Sequence, residues 1–302
     1  MHCREKDKAM EIQKILVPVD FSEFSRKSVE AARKIARRFG ASVTLIHIIV
    51  TPHGTIGDNR KKNVLEKQNA FIRQQFQVQY GDKLEKEIQD VSFILITGVS
   101  PVDSLQEYLQ DHPHDLVVMG THGQTGFRFF VQGSVVEKMI RFSSVPILTI
   151  PHALHNIRFK RILAPLDFSV HSQKALEYTV SFAKHHNAKI VFMHVIEQEN
   201  YPSFSSAEEE SIFEIEPSLQ QSIVENLREF VADTVDESYI EDFVVTEGVV
   251  HREIVNYCKS FDVMIISTHG LTGLEYIQIG GTAEKVVRWA SCPVLVVKRD
   301  EH

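Results

Sequence analysis

"KILVPVDFSEFSRKSVEAARKIARRFGASVTLIHII" (residues 14–49) and "RILAPLDFSVHSQKALEYTVSFAKHHNAKIVFMHVI" (residues 161–196) are two copies of one pattern. The offset is 161 − 14 = 147, and it also joins Asp20 to Asp167, His47 to His194, His122 to His269, Gly133 to Gly280 and Pro146 to Pro293. Between these points the register slips: Gly98 pairs with Gly248 at 150, and Asp115 with Asp262 at 147 again. Surface connections vary in this way while a core is kept. Each copy has the size of an ordinary domain, roughly 140–150 residues. We expect domains over residues 1–151 and 157–302, joined near Pro151–Asn156 by a short linker.

Within a copy, strand and helix patterns alternate. "KILVPV" is a short apolar, β-branched run, the signature of a buried parallel strand. In the stretch that follows, Ser22 or Ser25 is placed to cap a helix. Val29, Ala32, Ile35, Ala36 and Phe39 sit at helical spacing, and Gly40 stops it. "SVTLIHIIV", "VSFILITG", "DLVVMG" and "VPILTI" read as further strands, and "VDSLQEYLQ" and "GSVVEKMIRFS" as helices. A longer polar stretch from about Lys61 to Tyr80 reads as helix. This alternation implies an α/β fold: two repeated, open, five-stranded parallel sheets with helices on both faces. The second copy's acidic middle, "EQENYPSFSSAEEESIFEIEP", reads as a solvated loop, or more sharply as a lid.

Composition excludes several classes. The chain has 302 residues, with 43% hydrophobic and 24% charged, near the soluble globular average. There is no apolar run of the about 18 residues that a membrane span needs. The first residues, "MHCREKDKAMEIQ", carry both charges and lack the apolar core of a signal peptide. A net charge of −7, with no basic cluster interleaved with aromatics, disfavours nucleic-acid binding. Cys3, Cys258 and Cys292 are too widely spaced for a disulfide framework or a zinc knuckle, which fits a reducing cytoplasm.

The chemistry concentrates in "VMGTHGQTGFRFFVQGS" (residues 118–134). It begins at a strand's carboxyl end, where open α/β sheets take their ligands. Gly120 and Gly123 allow the backbone to approach a ligand closely. Gly133-Ser134 opens the next helix, whose free N–H groups suit an anion, and the Ser134 hydroxyl adds a donor. The bland alternative is a tight turn before an ordinary capped helix. Asp20 and Asp167, each ending a first strand, face the same crevice in this architecture. Each carboxylate is placed to bind a ribose hydroxyl, to help hold a metal, or to cap the following helix. In the second copy, "IISTHGLTGLEYIQIGG" (265–281), Ser267 replaces Gly120 and Gly281 replaces Ser134.

These residues resemble the universal stress protein family in its tandem two-domain form, over about Ile12 to Lys298. The nucleotide-binding members carry G-x2-G-x9-G-[ST], and Gly120, Gly123, Gly133 and Ser134 fit it at every position. The resemblance implies a Rossmann-like fold of the adenine nucleotide α-hydrolase type and an ATP site in the first domain. Pro18, Val19 and Asp20 would lie beside the adenosine, and Ile48 near the base. Met119 and Gly120 would pass under the ribose and phosphates. Gly123, Gly133, Ser134 and Val135 would hold the phosphates, with Val136 beside them. Mg²⁺ or Mn²⁺ commonly accompanies the triphosphate. The second domain matches at Pro165, Leu166, Asp167, Val195, Gly270 and Gly280, with Thr282 next to the altered position. Its two exchanges imply a weakened or empty site. The resemblance also implies an internal pseudo-dimer of the two domains through their last strands, and a homodimer beyond that.

Other residues carry less. His47 and His194 interrupt apolar strands at equivalent positions and read as hydrogen-bonded structural histidines. His112, His114, His152, His155, His185 and His186 read as surface residues. His122, His269 and Arg128 lie in the glycine loops, where they either reach phosphate or are solvated. Cys292 reads as a packed thiol, and no activated cysteine or Ser-His-Asp set stands out. The leading reading is an ATP-binding regulatory protein of the stress response with at most slow ATP hydrolysis. A nucleotide-independent dimerising module is the alternative. An ATP-using enzyme of related fold comes third, because "VPVDFS" stands where such enzymes need their own loop.

Overall fold

A computed structural model describes residues 11–51, 59–121, 135–152, 154, 156–197, 211–268 and 281–298. The chain divides into two units, residues 11–152 and 153–302. The first unit runs β1 (Lys14–Pro18), α1 (Glu23–Phe39), β2 (Ser42–Val50), α2 (Asn59–Phe76), a π-helical turn (Gln77–Gly81), α3 (Asp82–Glu85), β3 (Val91–Gly98), α4 (Pro101–Asp111), β4 (Leu116–Gly120), α5 (Val135–Phe142) and β5 (Ile147–Ile150). Its strands are parallel, in the order β3-β2-β1-β4-β5.

The second unit runs β6 (Arg161–Pro165), α6 (Val170–His186), β7 (Lys189–Glu197), α7 (Ile212–Ile215), α8 (Pro217–Ala232), β8 (Ile240–Gly248), α9 (Val250–Tyr257), β9 (Val263–Ser267), α10 (Gly281–Trp289) and β10 (Val294–Val297). Its strands are also parallel, in the order β10-β9-β6-β7-β8. Each unit is thus an α/β domain with a five-stranded parallel sheet among its described residues. Among those residues no helix is long and apolar enough to cross a membrane.

Burial explains the strand pattern. Ile15, Leu16 and Val17 are all fully buried, so β1 is covered on both faces and needs no polar alternation. The edge strand β3 is only half-buried along most of its length. In α1 the buried stripe includes Val29, Ala32, Ile35 and Ala36. Burying each Val or Ile contributes about 1.5–3 kcal/mol. Ser22 rather than Ser25 is the N-cap, accepting the Ser25 N–H. Gly40 (φ 70°) closes α1, while in α6 Asn187 (φ 49°) takes that left-handed position. Both residue types tolerate it, so the repeat survives the change.

A second repeated device fixes where the central strands begin. Asp115 Oδ2 accepts the Gln13 and Lys14 N–H groups, both at 2.8 Å. Asp262 Oδ2 accepts those of Lys160 and Arg161 at 2.8 and 3.1 Å. Each carboxylate satisfies two backbone donors at the start of the first strand of its unit, just before the ladder with β4 or β9 begins.

One expectation holds with a refinement and one needs correction. The helix read from about Lys61 to Tyr80 is α2 followed by the π turn, which shifts the register by one residue and carries Tyr80 into the interior, 4% exposed. The acidic segment of the second unit is not all loop. Ile212–Ile215 forms a helical turn capped by Ser211, with Ile212 N–H donating to Glu247 at 2.8 Å. Residues 198–210 lie outside the described residues, and with them most of the lid reading.

Candidate functional site

In the first unit the chain runs outward from β1 through β2 to β3, then returns to β4 on the other side of β1. Connections leaving β1 and β4 therefore diverge, and this is where an open α/β sheet forms its crevice. The β1–β4 ladder runs over Ile15–Leu116 and Leu16–Val117. Beyond it β1 extends to Pro18 and β4 to Gly120. Pro18 has no N–H to continue a ladder.

The tip of β1 is instead tied to β2. Val19 N–H donates to Ile46 O at 2.8 Å. His47 Nδ1 lies 2.7 Å from Val19 O. A carbonyl only accepts, so Nδ1 carries the proton. His47 is thus the hydrogen-bonded structural residue expected.

Asp20 follows. Its Oδ1 accepts the Ser22 N–H at 3.0 Å and the Ser22 hydroxyl at 2.5 Å. Ser22 in turn caps α1. The carboxylate therefore organises the helix entry while sitting at the crevice. Between them Phe21 adopts φ 64°, a left-handed conformation rare for an aromatic residue. Its ring is held by His47 (centroids 5.0 Å), Phe76 (5.1 Å, edge-on) and Tyr80 (6.2 Å, stacked). Such strain persists where surrounding packing over-determines it. The Tyr80 hydroxyl lies 3.4 Å from Ser25 Oγ. Burial pushes its pKa up, the Ser25 hydrogen bond opposes this, and the Asp20 charge adds to the rise.

The second unit repeats the arrangement with one change. His194 Nδ1–H donates to Leu166 O at 2.8 Å, and Phe168 has φ 62° with its ring on His194 and Phe230. Asp167 Oδ1 accepts the Ser169 N–H (3.1 Å) and hydroxyl (2.6 Å). It also accepts the Ser172 hydroxyl, and Ser172 Oγ accepts the Asp167 N–H at 3.1 Å. In the first unit the equivalent Ser25 hydroxyl turns away, to Ser22 O at 3.1 Å and to Tyr80. The Asp167 oxygen facing the turn thus accepts the Ser172 hydroxyl, whereas the equivalent Ser25 hydroxyl bonds elsewhere.

Of the residues named from sequence, Pro18, Val19, Asp20, Met119 and Gly120 lie at or next to the ends of β1 and β4, and Ile48 is half-buried in β2. Val135 opens α5, followed by buried Val136. Gly123, Gly133 and Ser134 lie outside the described residues, as do His122, Arg128, His269, Gly270 and Gly280. Pro165 and Asp167 occupy the equivalent tip of β6, and Val195 is half-buried in β7. Thr282 is exposed in the first turn of α10, after Gly281. Among the described residues no group of three or more His, Cys, Asp or Glu is poised to hold a metal ion.

Sequence reasoning missed Phe21, Tyr80 and Phe168, because neither a left-handed aromatic nor a π turn has a spacing signature. It misplaced His186, which is buried at 5% exposure, stacked on Phe182 (4.4 Å) and edge-on to Phe159 (5.0 Å). It also missed a thiol pair. Cys258 and Cys292 are both buried, and Cys258 Sγ lies 3.7 Å from Oγ of Ser291, the residue before Cys292. The Cys292 thiol is the main cause that lowers Cys258 to about 6, against burial, while Cys292 itself is pushed up. Cys292 is packed, as expected.

Comparisons with known proteins agree with this architecture. The sequence profile of the universal stress protein family matches residues 11–151 and again 158–298. Universal stress protein MJ0577 of Methanocaldococcus jannaschii is 28% identical over 160 residues, covering 48% of this chain and 98% of that protein. Universal stress protein MJ0531 of the same organism is 30% identical over 144 residues, covering 47% and 83% respectively. The crystal structure of a universal stress protein from Archaeoglobus fulgidus covers 97% of this chain and 99% of its own, with a TM-score of 0.69 at 19% identity. That likeness speaks to the fold.

Proposed function

The chain belongs to the universal stress protein family, and from that premise we propose that it binds ATP in its first domain and acts as a regulatory protein of the stress response. Nucleotide occupancy biases the conformation or a partner-binding surface. The observation that carries this reading is the joint placement of Asp20 and Met119-Gly120 at the diverging ends of β1 and β4, with Gly-x2-Gly-x9-Gly-Ser continuing from Gly120. A carboxylate and a side-chain-free backbone at these strand ends support the reading of a site for ribose and phosphate.

The described residues fit such a ligand. Asp20 is held by Ser22, so its position is set before binding. Val135 starts a helix whose first N–H groups favour phosphate. A magnesium ion bound with the triphosphate takes most of its ligands from phosphate and water and needs only one or two carboxylates. Asp20 supplies one. The reading assigns no residue to activate water, so it carries at most slow hydrolysis.

The second domain is read as a weak or empty site. Gly281 removes a hydroxyl at the start of α10, and Ser267 adds a side chain where Gly120 has none. Asp167 is also more fully engaged by its own turn.

Native purification followed by nucleotide quantification tests the reading. We expect about one equivalent of adenine nucleotide per chain, lost in Gly123→Ala or Gly133→Ala. A wild type that carries none, and after refolding binds no ATP, sinks it. The difference between domains has its own test. A side chain added at Gly281 meets nothing within 4 Å, so Gly281→Ser is sterically tolerated. The double variant Ser267→Gly/Gly281→Ser should raise ATP stoichiometry in titration calorimetry toward two. An unchanged stoichiometry would show that these two positions do not decide the second site's state.

A further inference from the structure

Helices α4 and α5 of the first unit pack together and leave a groove of about 490 Å³ between them. Its apolar lining is Val102, Leu109 and Phe142, and Phe142 is 49% exposed at the end of α5. A cavity of roughly 300–1,000 Å³ takes a group of drug size, so the groove has room for an indole. Along its rim α4 exposes Asp103, Glu107 and Asp111, one acid per turn. Lys138 opposes them from α5, and Arg141 is paired with Glu137 at 3.7 Å. Acid therefore outnumbers free base on this face.

The second unit packs α9 on α10 in the same way but carries the opposite charge. Trp289, the chain's one tryptophan, stands where Phe142 does (289 − 142 = 147) and is 59% exposed at the end of α10. Lys285 precedes it by one turn, on the same side of the helix. In α4, Asp103 lies two residues before the buried pair Leu105 and Leu109, and Gln110 one after it. Around the buried pair Ile254 and Cys258, those two places are taken by Arg252 and Lys259. Arg252, Lys259 and Lys285 are all exposed, while Glu284 is paired with Arg288 at 3.4 Å. One face is thus an acidic groove with an apolar floor, and the other a tryptophan among cations.

We propose that the chain self-associates by docking the Trp289 face of one copy into the α4–α5 groove of a second copy. Trp289 inserts against Val102, Leu109 and Phe142, while Arg252, Lys259 and Lys285 meet Asp103, Glu107 and Asp111. A tryptophan seated in a pocket and sealed by surrounding contacts is a common anchor of protein–protein interfaces. Charge decides which face accepts which: two grooves repel each other, and so do two Trp289 faces. The contact is therefore heterologous. Two chains that exchange it close a dimer, and chains that pass it on form a ring or filament. It uses helix faces rather than the last strands, and it does not rest on nucleotide binding.

Sedimentation velocity of the full-length chain, over a concentration series in low and high salt, reads the association. The wild type should associate reversibly, and more weakly in high salt, because the paired charges sit on exposed rims. Trp289→Ala and Phe142→Ala should each raise the dissociation constant at least about tenfold. With a single tryptophan in the chain, emission should move to shorter wavelength as the wild type associates. Charge reversal gives the sharpest reading. Asp103→Lys/Glu107→Lys makes both faces basic, and Arg252→Glu/Lys285→Glu makes both acidic, so neither variant should associate alone. An equal mixture of the two should associate, with the wild-type shift in emission. All these positions are exposed, so circular dichroism should show every variant folded as the wild type. The proposal falls if the wild type stays monomeric at roughly 1 mM chain in low salt. It falls equally if the chain associates while the Trp289 emission stays where it was, or if the mixed charge variants remain apart.

Discussion

Asp20→Ala lowers ATP affinity about ten- to hundredfold, whereas Asp167→Ala leaves it unchanged. A hydrogen bond to a charged group contributes about 1.5–3 kcal/mol, and each 1.4 kcal/mol is about tenfold in affinity. Asp20 Oδ1 is fixed by the Ser22 N–H and hydroxyl, so in the proposed site the carboxylate would meet a ribose without first being ordered. Asp20→Asn separates charge from shape. Its amide oxygen still accepts the Ser22 N–H, so the turn is kept, and affinity should fall less than in Asp20→Ala. Thermal unfolding provides the control. Asp167→Ala orphans the Ser169 N–H and the Ser169 and Ser172 hydroxyls. It should therefore lower stability by about 1–3 kcal/mol without touching ATP binding. Titration calorimetry with ATP and Mg²⁺ reads the affinities. Wild-type affinity in Asp20→Ala would remove the carboxylate from the nucleotide site and leave it as a helix-entry residue only.

How much of this was legible depends on the range of the interactions involved. The parallel α/β order was readable because Ile15, Leu16 and Val17 must be apolar on both faces, which writes an unbroken run into the sequence. Helix ends were readable where one residue decides them, as at Gly40. At Asn187 the same left-handed turn is made without glycine. The choice between Ser22 and Ser25 was not readable, since it depends on which hydroxyl meets the backbone. The π turn at Gln77–Gly81 is invisible because its composition is that of ordinary helix. The Asp115 and Asp262 clamps and the Cys258–Ser291 contact join residues distant in the chain, and no local spacing encodes them. At the candidate site, sequence placed Asp20 at the crevice. It left open what the carboxylate does there, and it gave no sign of the aromatic clamp that holds the next residue.

That clamp makes Phe76→Ala the most damaging single change we foresee in the first unit. Phe76 is 1% exposed, and its ring meets Phe21 at 5.1 Å, Phe93 at 4.9 Å and Tyr80 at 6.5 Å. Truncating a buried phenylalanine costs about 3–5 kcal/mol. With roughly 2–4 °C per kcal/mol for a protein of comparable size, the melting temperature should fall by about 10 °C. The effect should also reach the site. Phe21 holds φ 64° directly between Asp20 and Ser22, and a left-handed aromatic costs of order 1–3 kcal/mol unless its surroundings enforce it. Removing Phe76 leaves one side of the Phe21 ring unsupported. The turn then relaxes, and Asp20 loses its set position. ATP affinity should therefore drop severalfold at a temperature where the variant is still folded. Leu105→Ala provides the comparison, since Leu105 is equally buried, at 1%, but lies in α4 away from this cluster. It should destabilise by about 2–5 kcal/mol while leaving ATP affinity intact. If the two variants lose stability alike and bind ATP alike, the aromatic clamp supports the fold but does not position the carboxylate.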